Sequence, residues 1–253
     1  EIQKQPKLLD IVHFLIESTS LKFAMTGSSA RKLKKGSANL LAGRAFINSL
    51  FPLTHIEMKE QFNLSNALHW GTLPKISHLT TIEEKKAFLT SYAQTYLKEE
   101  IWSEQIIRKL DPFRRFLEIA AQSNGEITNY TNISKDTGAD IKTIQSYFQI
   151  LEDTLIGFML EPYHRSIRKQ QRMSPKFYFF DLGVQRALAR MLDQSLLPQT
   201  YVYGKTFEFF LITEIYRLNQ YLKKDYRLSF LRTKDQVEID LILDHPNLPT
   251  VLI

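Results

Sequence analysis

The sequence contains no cysteine, which excludes disulfide bridges and thiolate zinc sites. Its six histidines stand apart, with no two at metal-ligand spacing, so we predict no structural metal. Long apolar runs are also missing: nothing approaches the ~18 residues of a membrane-spanning helix, and we find no charged-then-apolar leader. These absences predict a cytoplasmic protein that does not associate with membranes.

What the sequence does contain is ordinary for a globular protein: of 253 residues, 43% are apolar and 24% are charged. A chain of this length forms one large domain or a few small ones. The net charge is +6, and basic residues cluster at 31–35, 165–172 and 223–227. This charge permits contact with nucleic acid without requiring it.

The first 64 residues combine a helical pattern with strand patterns. Residues 7–18 space their apolar side chains as an amphipathic helix does. The run "LKFAMTG", ended by Gly27, predicts a buried strand, and "AFINSLFPLTHIEM" predicts a second strand. A helix and two strands in this order are typical of the latter half of an α/β sheet domain. We therefore expect a chain that is cut at its start and, because "PTVLI" is an unfinished strand, also at its end.

The middle of the chain predicts a series of helices followed by a hairpin. Helical spacing covers about 65–110 and returns in "FRRFLEIAAQS". Further helices are predicted at about 129–137 and, with Asp140 as N-cap, at 140–154. A strand at 157–163 and the returning "KFYFF" form a hairpin. Two helices joined by a turn and followed by a two-stranded wing predict a winged helix.

The last part of the chain predicts a long helix, "GKTFEFFLITEIYRLNQYL", and then the strands "YRLSFLRT", "VEIDLIL" and "PTVLI". We thus predict three domains: half of an α/β sheet domain at 1–64, a helical and winged-helix domain at 65–200, and a partial α/β lobe at 201–253. The predicted fold class is multidomain, with α/β and α+β parts.

Five polar residues of the first domain stand out by their order along the chain. Glu1 opens the chain, Thr26, Ser28 and Ser29 follow the apolar run, and Arg44 stands in "LLAGRA". This order resembles the AAA-type P-loop ATPases, in which a carboxylate polarises water, a hydroxyl senses phosphate and an arginine neutralises charge. The resemblance implies that Glu1 and Arg44 are catalytic and that Thr26, Ser28 and Ser29 sense the nucleotide.

Later motifs narrow this resemblance to one family. "YLKEEI", "FRRFLEIAA", "SYFQILEDTLIGFMLEPY" and "SPKFYFFDLGV" are similar, in this order, to prokaryotic ATP-binding proteins with an AAA-type core and a C-terminal domain of unknown function. The resemblance implies ATP and Mg²⁺ as cofactors of the full-length protein. The glycine-rich Walker A loop with its lysine and the aspartate before Glu1 are absent from this sequence. We therefore expect the chain alone to be inactive.

The second helix of the predicted helix-turn-helix offers a polar face that suits DNA. Gln and Ser bind base edges, while Lys and Arg bind phosphates. The predicted DNA-binding residues of this helix and of the wing are Lys142, Thr143, Gln145, Ser146, Gln149, Arg165, Arg168, Lys169 and Arg172. Winged helices also dock proteins, and this helix is only mildly basic. A protein partner or self-association therefore stays open.

The last domain resembles the restriction-endonuclease-like core, in which acids on a helix and a strand, with a Glu-x-Lys on the next strand, bind magnesium. Either Glu208 or Glu214 matches the first acid, and Asp240 matches the second. Glu238 shares a face with Asp240, because side chains alternate along a strand. The predicted metal ligands are therefore Glu208, Glu238 and Asp240. The Glu-x-Lys of the next strand would come immediately after Ile253, so it is not expected within this chain.

Three functions are compatible with these patterns. The first is a fragment of an ATPase that couples ATP binding and hydrolysis to a winged helix, which holds a nucleic acid or a protein partner. The alternative is a non-catalytic winged-helix module that binds DNA or protein. A second alternative is a magnesium-dependent nuclease lobe. The sequence leaves the biological process and the oligomeric state open.

Overall fold

The computed structural model describes residues 8–27, 46–96, 110–164, 166, 173–233 and 237–253. Within these residues the architecture is mixed α/β, with helices around a five-stranded sheet. The helices are α1 (Leu8–Ser18), α2 (His55–Met58), α3 (Leu64–Trp70), α4 (Pro74–Ser77), α5 (Ile82–Ser91), α6 (Leu110–Gln122), α7 (Tyr130–Thr137), α8 (Ile141–Asp153), α9 (Leu182–Leu188) and α10 (Tyr201–Tyr221). The strands are β1 (Gly157–Pro162), β2 (Lys176–Phe179), β3 (Arg227–Arg232), β4 (Glu238–His245) and β5 (Leu248–Leu252).

The N-terminal region departs from the predicted half sheet. Helix α1 confirms the predicted helix at 7–18. Both predicted strands are wrong, because residues 21–27 and 46–54 form no strand and "HIEM" is the helix α2. A strand needs a neighbour for its backbone hydrogen bonds, and none of β1 to β5 pairs with these residues.

The predicted helical stretch at about 65–110 is confirmed where the structure describes it, but it is divided into short helices. Helix α3 ends at Gly71, whose φ is +73°. Glycine adopts this positive φ without steric cost. A Cβ at Gly71 would also lie 2.1 Å from Asp181 Oδ1. Helix α5 begins with a capping box, in which the Thr81 hydroxyl accepts from the Glu84 N–H. Local signals therefore set where these helices begin and end.

Helices α7 and α8 confirm the predicted helix-turn-helix to within one residue at each end. Gly138, at φ +72°, ends α7 in the left-handed conformation. Asp140 caps α8 as predicted, since its Oδ1 accepts a 3.0 Å hydrogen bond from the Thr143 N–H. The turn between the two helices is therefore determined by its own residues, a glycine with positive φ and an aspartate that caps the next helix.

The five strands lie in the order β2-β1-β3-β4-β5. Strands β1 and β2 form the predicted antiparallel hairpin, with Phe158 opposite Tyr178. The three strands predicted at the end of the chain are also confirmed, and β3 pairs with β1 in parallel, with Glu161 opposite Ser229. One sheet therefore continues from the predicted second domain into the predicted third. The domain boundaries themselves stay predictions.

The core packs α6, α8 and α9 against the hairpin. Phe148 of α8 lies edge-on to Phe116 of α6, with ring centroids 4.8 Å apart, and to Phe177 of β2 at 5.0 Å. Burial of one such side chain contributes about 1.5–3 kcal/mol. This packing fixes strand β2, which carries the central residue of the candidate site.

The 21-residue helix α10 supplies charged side chains to two polar networks. Across the part of the chain that the structure describes, we find no helix whose length and apolarity suit a membrane span.

Candidate functional site

A lysine of the hairpin is buried against carboxylates of the C-terminal region. Lys176, the first residue of β2, is 1% exposed. Its Nζ lies 2.7 Å from Glu238 Oε1 on β4 and 3.3 Å from Glu208 Oε1 on α10. The same ammonium lies 5.1 Å from the centroid of the Phe230 ring, a favourable cation–π distance. Elements far apart in the sequence therefore converge on one buried positive charge.

Both carboxylate oxygens of Glu208 accept hydrogen bonds from protein donors. The Tyr178 hydroxyl donates to Oε1 over 2.9 Å, and Lys176 donates to the same oxygen. Lys205 Nζ donates to Oε2 over 3.0 Å and also lies 3.8 Å from Glu126 Oε1. Since a largely buried carboxylate is costly unless its oxygens are paired, these donors are what make Glu208 tolerable at this position.

The surroundings shift the pKa values of the cluster in different directions. Partial burial raises the pKa of Glu238, but the hydrogen bond and the charge of Lys176 outweigh it and hold this pKa below its ordinary value. Burial, followed by repulsion from Glu208, raises the pKa of Asp240. Burial and the charge of Glu208 also raise the pKa of Tyr178, which therefore remains a neutral donor. The two carboxylates that share this face of β4 are therefore shifted in opposite directions.

A cleft of about 490 Å³ opens beside this cluster, between α10, β4 and Ile253. Charged and apolar side chains share its wall, including those of Tyr201, Lys205, Phe207, Glu208 and Asp240. Sequence analysis singled out Glu208 and Asp240 together, and the structure places both beside the same cleft. Apolar surface with a few converging charged groups is the usual composition of a binding cleft.

Two of the three predicted metal ligands, Glu208 and Glu238, contact an ammonium group. Magnesium binds oxygen ligands at about 2.0–2.1 Å in near-octahedral geometry, whereas Lys176 bridges these carboxylates at ion-pair distances. Among the described residues, no group of three or more acidic or histidine side chains has the geometry to hold a metal ion. The arrangement fits a lysine better than a divalent cation. Magnesium at Glu208, Glu238 and Asp240 stays a prediction.

Most of the predicted nucleotide site lies outside the described residues. This holds for Glu1, Ser28, Ser29 and Arg44. Thr26 is described; it is exposed and does not follow a strand. The roles assigned to these five residues therefore stay predictions.

The predicted recognition helix α8 turns most of its polar residues to the surface. The exposed ones are Lys142, Gln145, Ser146 and Gln149. Thr143 differs, because its N–H and its hydroxyl both donate to the Asp140 carboxylate, so it serves the helix cap. The predicted wing residues Arg165, Arg168, Lys169 and Arg172 lie outside the described residues. DNA contact by this surface stays a prediction.

Sequence reasoning missed a second polar network, which ties residues 51–55, here called the strap, to α10. The Phe51 N–H donates to the Tyr221 hydroxyl over 2.9 Å, and the two rings pack edge-on. The His55 N–H donates to Glu214 Oε1 over 2.7 Å, and His55 Nδ1 contacts the same oxygen. Glu214, the alternative to Glu208 in the sequence, is therefore a partner of the strap.

Arg217 lies at the centre of the strap network and is 2% exposed. Its Nη1 donates to Thr72 Oγ1 over 3.0 Å and to Leu53 O over 3.4 Å, while Nη2 donates to Phe180 O. Burial lowers the pKa of Arg217, and the charge of Asp181 counteracts this effect. One guanidinium therefore connects the strap, the link between α3 and α4, and Phe180, which directly precedes the N-cap residue of α9.

Two families match the chain in adjacent segments. The family described as "Domain of unknown function (DUF8612)" matches residues 61–195, which is more than half of the chain. The chain belongs to this family. An "AAA domain" family matches residues 1–59. The second match indicates a P-loop NTPase-like fragment at the start of the chain, and it confirms the AAA resemblance at this coarse level.

Two curated relatives align with almost the whole chain. "Uncharacterized protein Mb2031c" of Mycobacterium bovis and "Uncharacterized protein Rv2008c" of Mycobacterium tuberculosis are each 23% identical over 248 residues. The alignments cover 96% of this chain and 55% of each relative. The chain thus spans about half the length of the curated relatives it matches. No solved structure matches it significantly.

Proposed function

We propose that this chain is part of an AAA-type ATPase in which ATP binding and hydrolysis act on a nucleic acid or protein partner held by a winged helix. The AAA match over residues 1–59 carries the proposal. The strap lies within that match and is hydrogen-bonded to α10 and to the α3–α4 link. A movement of the nucleotide-binding part would therefore act directly on the buried Arg217 network.

In this proposal five polar residues act on the phosphates. Glu1 polarises the attacking water, and Arg44 neutralises charge in the transition state. Thr26, Ser28 and Ser29 sense the γ-phosphate through their hydroxyl groups. ATP and Mg²⁺ are held mainly by a Walker A loop and its lysine, which this sequence lacks. We therefore assign the activity to the full-length protein.

ATP hydrolysis by the full-length protein with Arg44→Ala tests this assignment. Removal of a group that stabilises the transition state should lower kcat at least ~10²-fold. Arg190→Ala is the matched control, because the Arg190 side chain is 80% exposed and pairs with Glu118 at the surface. Phosphate release in steady state measures both. Unchanged turnover in Arg44→Ala removes Arg44 from the mechanism, and no turnover in the unaltered protein favours the non-catalytic module.

We place the partner-binding surface on α8 and the β1–β2 loop. After α6, Ile127 forms an isolated antiparallel bridge with Lys176, and α7, α8 and the hairpin follow. This order supports the winged-helix interpretation. The exposed Lys142, Gln145 and Gln149 lie on the helix that reads DNA in helix-turn-helix proteins. Duplex DNA is the partner that this polar, basic surface suits best.

DNA binding is tested by fluorescence anisotropy on a labelled duplex at several salt concentrations. The variant combines Lys142→Ala, Arg165→Ala, Arg168→Ala and Lys169→Ala. The affinity should fall for all sequences, and the slope of log K against log salt should become shallower by about one per lost phosphate contact. Lys75→Ala, at an exposed site on α4, should change neither. If the unaltered protein shows no salt-dependent duplex binding, the DNA assignment fails and a protein partner at the same surface becomes the favoured alternative.

A further inference from the structure

We propose that Lys176 is the resident cation of the Glu208, Glu238 and Asp240 cluster, where it takes the place of a metal ion and joins the hairpin to the C-terminal lobe. The inference does not depend on ATP hydrolysis or on DNA binding. It begins from a lysine that is 1% exposed and forms ion pairs with Glu238 on β4 and with Glu208 on α10.

Three carboxylate oxygens that a metal ion would need, both of Glu208 and one of Glu238, are already paired with lysines. Lys176 Nζ lies 2.7 Å from Glu238 Oε1 and 3.3 Å from Glu208 Oε1, which are ion-pair distances. The second oxygen of Glu208 accepts from Lys205 over 3.0 Å. A divalent cation at about 2.0–2.1 Å from the same oxygens requires both lysines to leave. The lysines therefore compete with any metal for this cluster.

The hairpin keeps the ammonium in place. Lys176 pairs with Leu160 in β1 and bridges to Ile127, so its backbone is held from both sides. The next residue, Phe177, is buried in the core, and the Phe230 ring covers the ammonium. A lysine on a surface strand extends its charge into water. Lys176 cannot do so unless β2 leaves the core.

The ion pairs also explain how the hairpin is attached to the lobe. The backbone pairing between β1 and β3 covers Glu161 with Ser229 and Pro162 with Phe230. Lys176 adds links to α10, which precedes β3 in the chain, and to β4, which follows it. Without this positive charge, Glu208, Glu238 and Asp240 repel one another in a partly buried site. That repulsion favours a positive partner, either a proton or a small cation.

Manganese titration, followed by electron paramagnetic resonance, tests the proposal on the full-length protein. Methionine at position 176 keeps the length of the side chain and removes its charge. In the absence of nucleotide, the unaltered protein should show no saturable Mn²⁺ binding that Asp240→Asn abolishes. Lys176→Met should gain a saturable Mn²⁺ site whose Kd is at least about tenfold lower than that of any Mn²⁺ binding by the unaltered protein. Asp240→Asn, added to Lys176→Met, should remove the gain. Equal Mn²⁺ binding with and without Lys176→Met overturns the proposal.

A second measurement uses a folded protein with the lysine present, in case Lys176→Met unfolds. Acetylation by a small reagent, followed by mass spectrometry, compares Lys176 with the exposed Lys75. Lys176 should react much more slowly, and Glu238→Gln should raise its rate while leaving Lys75 unchanged. Equal rates for the two lysines, or saturable Mn²⁺ binding by the unaltered protein that Asp240→Asn abolishes, overturn the proposal. Neither readout involves ATP or DNA, so the proposals fail separately.

Discussion

The residues before the strap and those after it differ in what their apolar side chains contact. Before it, Phe14 is 67% exposed and Phe46 is 92% exposed, and Leu9 is the buried residue of α1. After it, Phe113 and Phe179 are completely buried. Both regions contain apolar runs of similar length, such as "LKFAMTG" and "KFYFF". Composition therefore does not explain the difference.

The difference lies in whether a partner strand is available. "KFYFF" pairs with β1 and packs under α8, whereas residues 21–27 have no partner strand among the described residues. An apolar pattern shows that burial of a segment is favourable. The segment forms a strand only where another segment supplies backbone hydrogen bonds and an apolar surface to pack against. We propose that the exposed face of α1 and the residues near Phe46 pack, in the full-length protein, against the sheet of the ATPase that we propose above.

The strap is the boundary between the two regions, and Arg217 is its main support. Replacement of Arg217 by alanine removes its hydrogen bonds to Thr72, Leu53 and Phe180. It also leaves the buried carboxylates of Glu214 and Asp181 without their counter-charge. Loss of one member of a buried ion pair costs about 3–5 kcal/mol of unfolding free energy. Urea denaturation measures it. Arg190→Ala is the surface control and should cost roughly 0–1 kcal/mol. Equal losses in the two variants contradict a special role for the strap.

Two helical glycines should respond to alanine in opposite directions, because one is in the packed core and the other faces open space. A Cβ at Gly183 would lie 2.0 Å from Trp70 O, whereas one at Gly204 meets nothing within 4 Å. Gly183→Ala should cost about 1–3 kcal/mol through overpacking of α9 on α3. Gly204→Ala should stabilise α10 by about 0.5–1 kcal/mol. Thermal and urea unfolding measure both changes, and a shift of the same sign in both variants contradicts the packing described.

Local signals in the sequence were enough to predict most helices and strands of the region after the strap. The caps at Asp140 and Gly138 and the spacing of apolar residues predict α7 and α8 because they act within one turn of helix. The hairpin could be predicted because its two strands are neighbours in the chain. The predicted strands of the N-terminal region failed because their formation depends on a partner, which no local pattern contains.

The candidate site could be predicted only in part, for a related reason. Glu208 and Asp240 stood out because their types and spacing resemble a metal site. Lys176 and Arg217 did not stand out, since each owes its role to partners on distant elements. The available signal was weak: a lysine at the start of an aromatic strand, and an arginine on the apolar face of a long helix.

The ion pair between Lys176 and Glu238 should show itself in the pH dependence of stability. Partial burial and Lys176 act in opposite directions on Glu238, and the net effect is a lowered pKa in the folded protein. The contribution of this carboxylate is therefore present above the unfolded-state pKa and is lost as the pH falls through the folded-state value. Urea denaturation from neutral to acidic pH should show Glu238→Gln less stable at pH 7, with the difference closing in acid. A difference that is constant with pH contradicts a charge effect.

The smallest change in unfolding free energy is expected for Phe14, an exposed phenylalanine before the strap, which we compare with the buried Phe113 after it. Phe14→Ala in the 253-residue chain should change the unfolding free energy by no more than about 0.5 kcal/mol, because this side chain is already in water. Phe113→Ala, at a buried site, should cost about 3–5 kcal/mol. In the full-length protein the cost of Phe14→Ala should rise to about 1.5–3 kcal/mol if α1 packs on the ATPase sheet. A cost near zero in both proteins contradicts packing of α1 on that sheet. The exposure of the apolar side chains before the strap is then not explained by a missing partner.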